Sequence, residues 1–332
     1  MTIEKIRVSI GSASVLGLYP KQFEVPPTTC YIMTYKEGLC SANCAFCPQS
    51  RSSTSKSGTL SRISWPIFDF EEFLNKMKYL TPSKRFKRIC IQSLNYPENF
   101  KDLMEIVIKI KNISNASISV AIPPVSKENL KELKLIGVDR IGIALDGATK
   151  EIFNRIKGED VKGPYTWEGH HQALKDATDV FSREGVSTHL IMGLGETEKE
   201  MLERIEELNK SSILVSLFAF TPVKGTKFEN MNQPDLQSYR KLQLSRYLII
   251  NKSKSIEDFT FNSKGAIINI NINKRDLRTI IEDKEAFMTS GCPNCNRPYY
   301  TSRPSGPMYN YPRKLTSEEE VEIYKSLERF VK

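Results

Sequence analysis

The chain has 332 residues, of which 39% are hydrophobic, and a net charge of +9. This length and hydrophobic content suit one large α/β domain or two smaller domains and exclude a disordered chain. The N-terminal segment MTIEKIRVSIG has no basic run before a long apolar stretch, and no window of the sequence is apolar enough for a membrane helix. We therefore expect a cytoplasmic protein without a signal peptide or membrane span.

Basic residues are spread along the chain, with local crowding at KSGTLSR, SKRFKR and NKSKS. The sequence has no RNP-type aromatic strand, zinc-finger spacing or helix-turn-helix signature. We therefore expect solvated surface lysines, with an acidic protein partner as the alternative, and we do not expect nucleic-acid binding.

After an alternating N-terminal segment, IRVSIGSASVLGLY, apolar runs alternate with helix-like stretches. The predicted strands are CYIMTY (30–35), RICIQS (88–93), ISVAI (118–122), RIGIALD (140–146), THLIMG (188–193) and LVSLFAF (214–220). Amphipathic windows such as FEEFLNKMKYL and EKEMLERIEELN lie between them. The pattern predicts an α/β fold in which six βα units form a partial TIM-type barrel, with functional residues at the C-terminal ends of the strands.

The sequence divides into three parts. Residues 1–27 form an N-terminal extension, residues 28–233 the partial barrel, and residues 234–332 a C-terminal part with helices and a tail rich in cysteine and proline, GCPNCNRPYYTSRPSGPMYNYP. The prolines would fix an extended path, which suits a segment laid across the barrel mouth.

Three of the seven cysteines, Cys40, Cys44 and Cys47, lie in the loop after the first predicted strand, GLCSANCAFCPQS. An odd, clustered set of cysteines in a large chain is more typical of metal or redox ligands than of disulfides. Three thiolates leave a structural zinc ion one ligand short, whereas a 4Fe–4S cluster held by three thiolates keeps one iron free for a substrate or cofactor.

The spacing C-x3-C-x-aromatic-C in this loop resembles the radical S-adenosylmethionine (SAM) enzymes, with a zinc half-site or a buried thiol cluster as the alternatives. The resemblance implies that Cys40, Cys44 and Cys47 hold a 4Fe–4S cluster whose free iron binds the amine and carboxylate of SAM. It also implies reductive cleavage of SAM to methionine and a 5′-deoxyadenosyl radical, with Phe46 beside the adenine.

Two stretches narrow the resemblance: CAFCPQS is similar to the cluster loop of biotin synthase, and MGLGETEKEM at 192–201 is similar to a Gly-rich loop of biotin and lipoyl synthases. In the second stretch, Gly193 and Gly195 would let the backbone approach SAM closely, with Glu196 in the same loop. The alternative is an ordinary strand-to-helix turn in which Thr197 or Glu196 caps the helix.

Further SAM contacts are implied at the ends of two strands. Asp146, in IALDGA, would bind the ribose hydroxyls, and its alternative role is the N-cap of the next helix. The second strand gives CIQSLNYPEN where many radical SAM enzymes have a Gly-Gly-Glu turn that holds the SAM amine, so Gln92 and Ser93 would substitute for it. Cys90 in that strand is expected to be a small core residue.

Cys292 and Cys295 form a C-x2-C pair in the tail, and the sequence offers no second such pair to complete a zinc ribbon. We expect a second 4Fe–4S cluster here. Its third thiolate is expected to be Cys30, because the N-terminal extension and the tail would meet at one end of the barrel. Cys90 is the alternative.

Bacterial lipoyl synthases hold an auxiliary 4Fe–4S cluster through three cysteines and a serine in an Arg-Ser-Ser-Tyr motif, and they consume it as the sulfur source. The tail segment SRPSGPMY resembles that motif, which implies Ser305 as a labile oxygen ligand and Arg303 as its catalytic neighbour. The bacterial enzymes take all three auxiliary cysteines from the N-terminus, whereas at least two lie in the tail here.

The chain is most similar to the two-component lipoyl synthases of archaea, over roughly residues 28–312. The resemblance implies a radical SAM sulfurtransferase that inserts sulfur into an octanoyl chain on a protein lysine. The methylene groups of that chain have no acidic proton for a general base to remove, so the reaction needs a radical. Expected partners are an octanoylated lipoyl-carrier protein or H-protein, a second lipoyl synthase component and an electron donor such as ferredoxin. The alternatives are biotin synthase-like sulfur insertion into a small molecule, and a non-catalytic iron–sulfur or zinc protein in electron transfer or RNA binding.

Overall fold

The computed structural model describes residues 3–56, 58–80, 86–182, 184–302 and 306–332. The strands are β1 (Lys5–Val8), β2 (Thr29–Thr34), β3 (Thr59–Leu60), β4 (Ile63–Ser64), β5 (Ile67–Asp69), β6 (Arg88–Gln92), β7 (Ser117–Ala121), β8 (Arg140–Gly142), β9 (Val186–Met192), β10 (Leu214–Ala219), β11 (Phe259–Phe261) and β12 (Ile267–Ile270). The helices are α1 (Ile10–Val15), α2 (Phe70–Lys78), α3 (Asn99–Lys111), α4 (Lys127–Leu135), α5 (Lys150–Ile156), α6 (Trp167–Val180), α7 (Glu198–Lys210), α8 (Leu236–Asn251), α9 (Lys274–Asp283) and α10 (Ser317–Leu327). In these ranges, no helix has both the length and the apolar character needed to cross a membrane.

One eight-stranded sheet organises the fold, in the order β10-β9-β8-β7-β6-β2-β1-β5. Six of these strands pair in parallel and are connected through helices, namely β2, β6, β7, β8, β9 and β10. At the other edge, β1 pairs antiparallel with both β2 and β5. The predicted partial TIM-type barrel of six βα units with extensions is confirmed.

The fourth barrel strand is shorter than predicted. The sequence RIGIALD predicts a strand over 140–146, but β8 ends at Gly142. Beyond it, the Thr188 hydroxyl donates to Ile143 O at 2.7 Å and accepts from Leu145 N at 2.9 Å. The side chain therefore replaces a ladder bond with the neighbouring strand, and the backbone is free to turn at this point.

Successive residues of each barrel strand face either the helices or the barrel interior. On β2, Cys30 and Ile32 belong to the main hydrophobic core, while Tyr31 belongs to a second buried cluster. The register places Tyr31 opposite Cys90, and Cys90 opposite Ser119. These three side chains therefore share the interior face.

A buried ion pair joins the C-terminal helices to the barrel. Lys241 of α8 lies 2.7 Å from the carboxylate of Glu198, which begins α7, and each side chain is only 6% exposed. Glu198 also accepts a hydrogen bond from the Ile267 amide. Glu198 thus links α7 to α8 and to β12.

Glu198→Ala should lower the free energy of unfolding by about 3–5 kcal/mol, because it leaves the buried Lys241 ammonium without its carboxylate. Urea denaturation of the iron-free protein measures this. The double variant Glu198→Leu with Lys241→Met removes both charges and should recover most of the loss. A double variant as unstable as Glu198→Ala would contradict the role given to the unpaired charge.

Candidate active site

The cysteine loop follows the C-terminal end of β2 and folds back on itself. Cys40 N donates to Gln49 O at 2.9 Å, and Cys47 N donates to Cys44 O at 3.1 Å. From the segment that follows β6, Asn95 N donates to Cys40 Sγ at 3.2 Å. The loop therefore gathers its three thiols above the barrel.

The three thiols influence one another. Burial raises the pKa of Cys44 to about 12, and the nearby Lys157 ammonium acts in the opposite direction. Burial also raises the pKa of Cys47, and the neighbouring Cys44 and Cys40 raise it further. Metal binding requires thiolates, so iron binding at this loop would release protons.

Asp146 lies directly below this loop in a buried ion pair. Its carboxylate is 2.8 Å from Lys157 Nζ, and the two side chains are 10% and 6% exposed. Burial lowers the pKa of Lys157, but the Asp146 carboxylate and Cys44 together bring it above its usual value. The N-cap of the following helix is Thr149, so the alternative role of Asp146 as a helix cap is wrong.

The GLGET loop has the turn conformation that its glycines allow. Gly193 and Gly195 have φ values of 104° and 108°, which favour glycine. Glu196 accepts hydrogen bonds from the amides of Gly193 and Leu194, at 2.6 Å and 3.0 Å. Thr197 forms a capping box at the start of α7, as the alternative interpretation expects. The loop thus satisfies its own polar groups, and a contact of Gly193, Gly195 or Glu196 with SAM stays a prediction.

Gln92 and Ser93 end the second barrel strand. Gln92 Nε2 donates to Cys90 Sγ at 3.1 Å, and its side chain lines a cavity in the barrel. Ser93 N donates to Ala121 O of the neighbouring strand at 2.8 Å. Their predicted contact with the SAM amine stays a prediction.

The barrel encloses a cavity of about 210 Å³. Four predicted site residues line it, namely Phe46, Cys47, Gln92 and Asp146. Most of the remaining wall is aromatic or aliphatic, with Tyr31, Leu60, Ile191, Phe218, Phe220 and Tyr300. His189 and Arg297 add polar groups. The cavity is therefore an apolar chamber with a few polar groups, as is typical of ligand sites.

The tail passes through the barrel as well as over it. Ser290 Oγ accepts from Leu217 N of β10 at 3.0 Å, and the Asn296 side chain accepts from Thr28 N, just before β2, at 3.0 Å. Residue 290 thus contacts the middle of β10 and residue 296 contacts the chain just before β2, below the predicted position at the barrel mouth. Further along, Tyr300 O accepts from Ser61 Oγ beside the cavity at 2.9 Å.

The tail cysteines contact the interior face of the sheet. Cys292 Sγ lies 3.5 Å from Ser119 Oγ, and Cys295 Sγ lies 3.2 Å from the Tyr31 hydroxyl. Cys90 stands between Tyr31 and Ser119 in the strand register. Burial raises the pKa of Cys90 to about 12, with further increases from Cys292 and Cys295. The structure therefore brings Cys90, the alternative third thiolate in the sequence analysis, together with the tail pair.

Cys30 is placed differently. It is fully buried in the main core, on the face of β2 opposite to Tyr31. Burial raises the pKa of Cys30, and Cys90 on the adjacent strand raises it further, so these two thiols are close. The barrel backbone nevertheless separates the Cys30 side chain from the interior, where the tail pair lies. Cys30 as the third thiolate stays a prediction, but its placement does not favour it.

Sequence reasoning missed two cationic residues. Arg297 lines the cavity, its guanidinium is 4.3 Å from the Phe218 ring, and its amide donates to the Tyr31 hydroxyl at 3.0 Å. Its position two residues after Cys295 could have indicated that it lies near the tail cysteines. Lys157 gave no comparable signal, because only the fold brings it to Asp146. Two other predicted residues, Arg303 and Ser305, lie outside the described residues.

The donors in both cysteine groups suit iron–sulfur clusters. Three thiols are soft ligands that favour iron–sulfur or zinc sites over magnesium or calcium. In the described part of the chain, no three His, Cys, Asp or Glu side chains are grouped closely enough to hold a metal ion. In an iron–sulfur cube each thiolate binds a different iron, so its ligands stand further apart than those of a single ion.

The family model of the radical SAM superfamily matches residues 38–208, which include the cysteine loop, Asp146 and the GLGET loop. The chain belongs to this superfamily, whose members use a 4Fe–4S cluster and SAM. It is therefore a radical SAM enzyme, and its three loop cysteines have the spacing of the superfamily's cluster ligands.

Among curated proteins, the chain is similar to biotin synthases. It is 26% identical to that of Methanococcus aeolicus over 226 residues, covering 67% of this chain and 65% of the relative. It is 27% identical to that of Methanococcus vannielii over 229 residues, covering 68% and 65%. The alignments thus span about 65% of the length of these relatives.

Solved structures share the fold at low identity. The FeFe-hydrogenase maturase HydG from Carboxydothermus hydrogenoformans has a TM-score of 0.53 and 15% identity, covering 89% of this chain and 65% of that chain. Methylornithine synthase has a TM-score of 0.51 and 15% identity, covering 72% and 66%. These similarities support the barrel fold.

Glu196→Ala should speed hydrogen exchange at the Gly193 and Leu194 amides by about tenfold, since each loses a hydrogen bond to a carboxylate worth about 1.5 kcal/mol. Exchange followed by NMR or mass spectrometry measures this. Glu203→Ala is the control, because that exposed α7 residue forms a surface ion pair with Lys199. Equal exchange rates in the two variants would contradict the role of Glu196.

Proposed function

We propose that this radical SAM enzyme is a lipoyl synthase component that inserts sulfur into an octanoyl chain carried on a protein lysine, with sulfur drawn from a second 4Fe–4S cluster in the tail. One observation carries the proposal: two cysteine groups flank a single apolar cavity. Cys47 lines the cavity from the loop side. On the other side, Tyr31 both lines the cavity and contacts Cys295.

When bound, the first cluster with SAM supplies a 5′-deoxyadenosyl radical, and the second cluster supplies sulfide. The residues of the chain hold and orient these groups. Cys40, Cys44 and Cys47 hold the first cluster, and Asp146, fixed by Lys157, accepts hydrogen bonds from the SAM ribose. The aromatic wall of the cavity surrounds the aliphatic chain and excludes water, which protects a reactive radical from side reactions.

The same proposal assigns the third tail thiolate to Cys90. Cys90 shares the interior face with the two residues that contact Cys292 and Cys295, whereas Cys30 packs in the main core. Ser305 is retained as the oxygen ligand and Arg303 as its neighbour on the resemblance of SRPSGPMY alone. The proposed partners are an octanoylated lipoyl-carrier protein or H-protein, a second lipoyl synthase component and an electron donor such as ferredoxin.

A second candidate is sulfur insertion into a small molecule, as the name of the biotin synthase relatives indicates. Arg297 favours this candidate, because its guanidinium lines the cavity and could bind a small carboxylate. The tail C-x2-C pair and its approach to the barrel interior favour the lipoyl candidate, in which an octanoyl arm reaches into the chamber.

Cys90→Ala should remove about half of the iron after anaerobic reconstitution, because one of two four-iron clusters loses a ligand. Reductive cleavage of SAM should persist, since the loop cysteines are unchanged. Cys30→Ala is the matched control and should keep the full iron content. Full iron in Cys90→Ala with half the iron in Cys30→Ala would reverse the assignment.

A substrate assay discriminates the two candidate functions. The reconstituted protein, SAM and a strong reductant should convert an octanoyl-lysine peptide into a sulfur-containing peptide, detected by mass spectrometry together with 5′-deoxyadenosine. Replacing Cys40, Cys44 and Cys47 by Ala should abolish both products. Sulfur insertion into a sulfur-free biotin precursor, with none into the peptide, would favour the second candidate and contradict the first.

A further inference from the structure

The N-terminal ends of the barrel strands carry two buried arginines, Arg88 at the start of β6 and Arg140 at the start of β8. They are 8% and 7% exposed. The Nε atoms of both have no hydrogen-bond partner among the described residues. Neither arginine takes part in any ion pair found within the described ranges.

Both arginines lie on the strand face that the tail cysteines contact. Arg88 Nη1 donates to Ser119 Oγ at 2.8 Å, and the same oxygen lies 3.5 Å from Cys292 Sγ. Arg140 stands opposite Ser119 in the β7–β8 register, so it shares the interior face. One hydroxyl group therefore separates the guanidinium of Arg88 from a proposed cluster ligand, and Arg140 occupies the adjacent strand.

A buried cation without an anion costs several kcal/mol, and folded proteins normally pair such groups. Two groups that can become anions are linked to these arginines through Ser119: the Cys292 thiol, which contacts its hydroxyl, and the Cys90 thiol, which stands opposite it in the strand register. Thiols lose their protons when they bind metal. A cluster held by three thiolates would supply the missing negative charge.

We propose that Arg88 and Arg140 are positioning residues that hold an anionic iron–sulfur cluster at Cys90, Cys292 and Cys295 and raise its reduction potential. The inference rests on the second cluster of the proposed function. Reduction adds a negative charge to the cluster, so nearby fixed positive charges favour the reduced state. Net charge and hydrogen bonding at the sulfurs are established determinants of such potentials.

The test uses full-length protein in which Cys40, Cys44 and Cys47 are replaced by Ala, so that only the tail site contributes to the iron signal. In this background, Arg140→Met and Arg88→Met should each shift the cluster to a lower potential in an EPR-monitored redox titration. The expected shift is about tenfold in the ratio of reduced to oxidised cluster, which corresponds to about 59 mV for one electron.

Two controls isolate the charge. Arg140→Lys keeps a cation and should leave the potential near that of the parent protein. Arg246→Met removes another buried arginine, one of α8 that donates to Val215 O at 2.7 Å, and should also leave it unchanged. In iron-free protein, Arg140→Met should raise the melting temperature, because it removes a buried charge that forms no ion pair with any residue the structure describes. The gain should shrink or reverse after reconstitution.

Loss of tail iron in Arg140→Met but not in Arg140→Lys would also support the proposal. Unchanged potentials in Arg140→Met and Arg88→Met at full iron content would overturn it while leaving the second cluster intact. A lower melting temperature or failure to fold of iron-free Arg140→Met would overturn it as well. A parent protein without iron at the tail site would overturn both this inference and the second cluster of the proposed function.

Discussion

The alternation of side chains along the parallel strands determines what the barrel interior contains. A strand residue faces either the helices or the interior, and its neighbours face the other side. This constraint places Tyr31 and Cys90 inside the barrel and Cys30 in the core beneath the helices. Cys292 and Cys295 contact two members of the interior set, Ser119 and Tyr31, so strand register rather than sequence proximity decides which residues they meet.

Buried cations accompany both cysteine groups, although they are held in different ways. Beside the loop, Lys157 is paired with Asp146 and with backbone Ala144 O at 2.7 Å, so its charge is balanced within the chain. At the other end of the barrel, Arg88 has a hydroxyl partner, and none of the carboxylates in the described ranges pairs with it. The loop side is thus electrostatically complete as an iron-free protein, whereas the tail side has an excess of positive charge in an environment of low dielectric.

The sequence was sufficient to predict the βα alternation, the partial barrel and the loop of three cysteines, because each depends on local periodicity or spacing. It could not show where β8 ends, since Thr188 of another strand satisfies the backbone after Gly142. It could not separate Cys30 from Cys90, because the tail's path decides which strand face it meets. Lys157 was missed for a similar reason. It follows the last residue of α5, and only the folded position of that helix brings its ammonium to Asp146.

The tail's path also fixes an order of assembly. Cys295 and Tyr31, in hydrogen-bond contact, are 264 positions apart in the chain, and Asn296 and Thr28 are 268 apart. Contacts between such distant segments form late, because the loop-closure entropy must be overcome first. The cysteine loop depends on earlier parts of the chain: Ala45 N donates to Ile156 O at 2.7 Å, and Ala45 O accepts from Phe228 N at 3.3 Å. These partners all precede the tail in the chain. The loop side of the chamber can therefore form from residues made before the tail, whereas its other side closes only once the tail has docked.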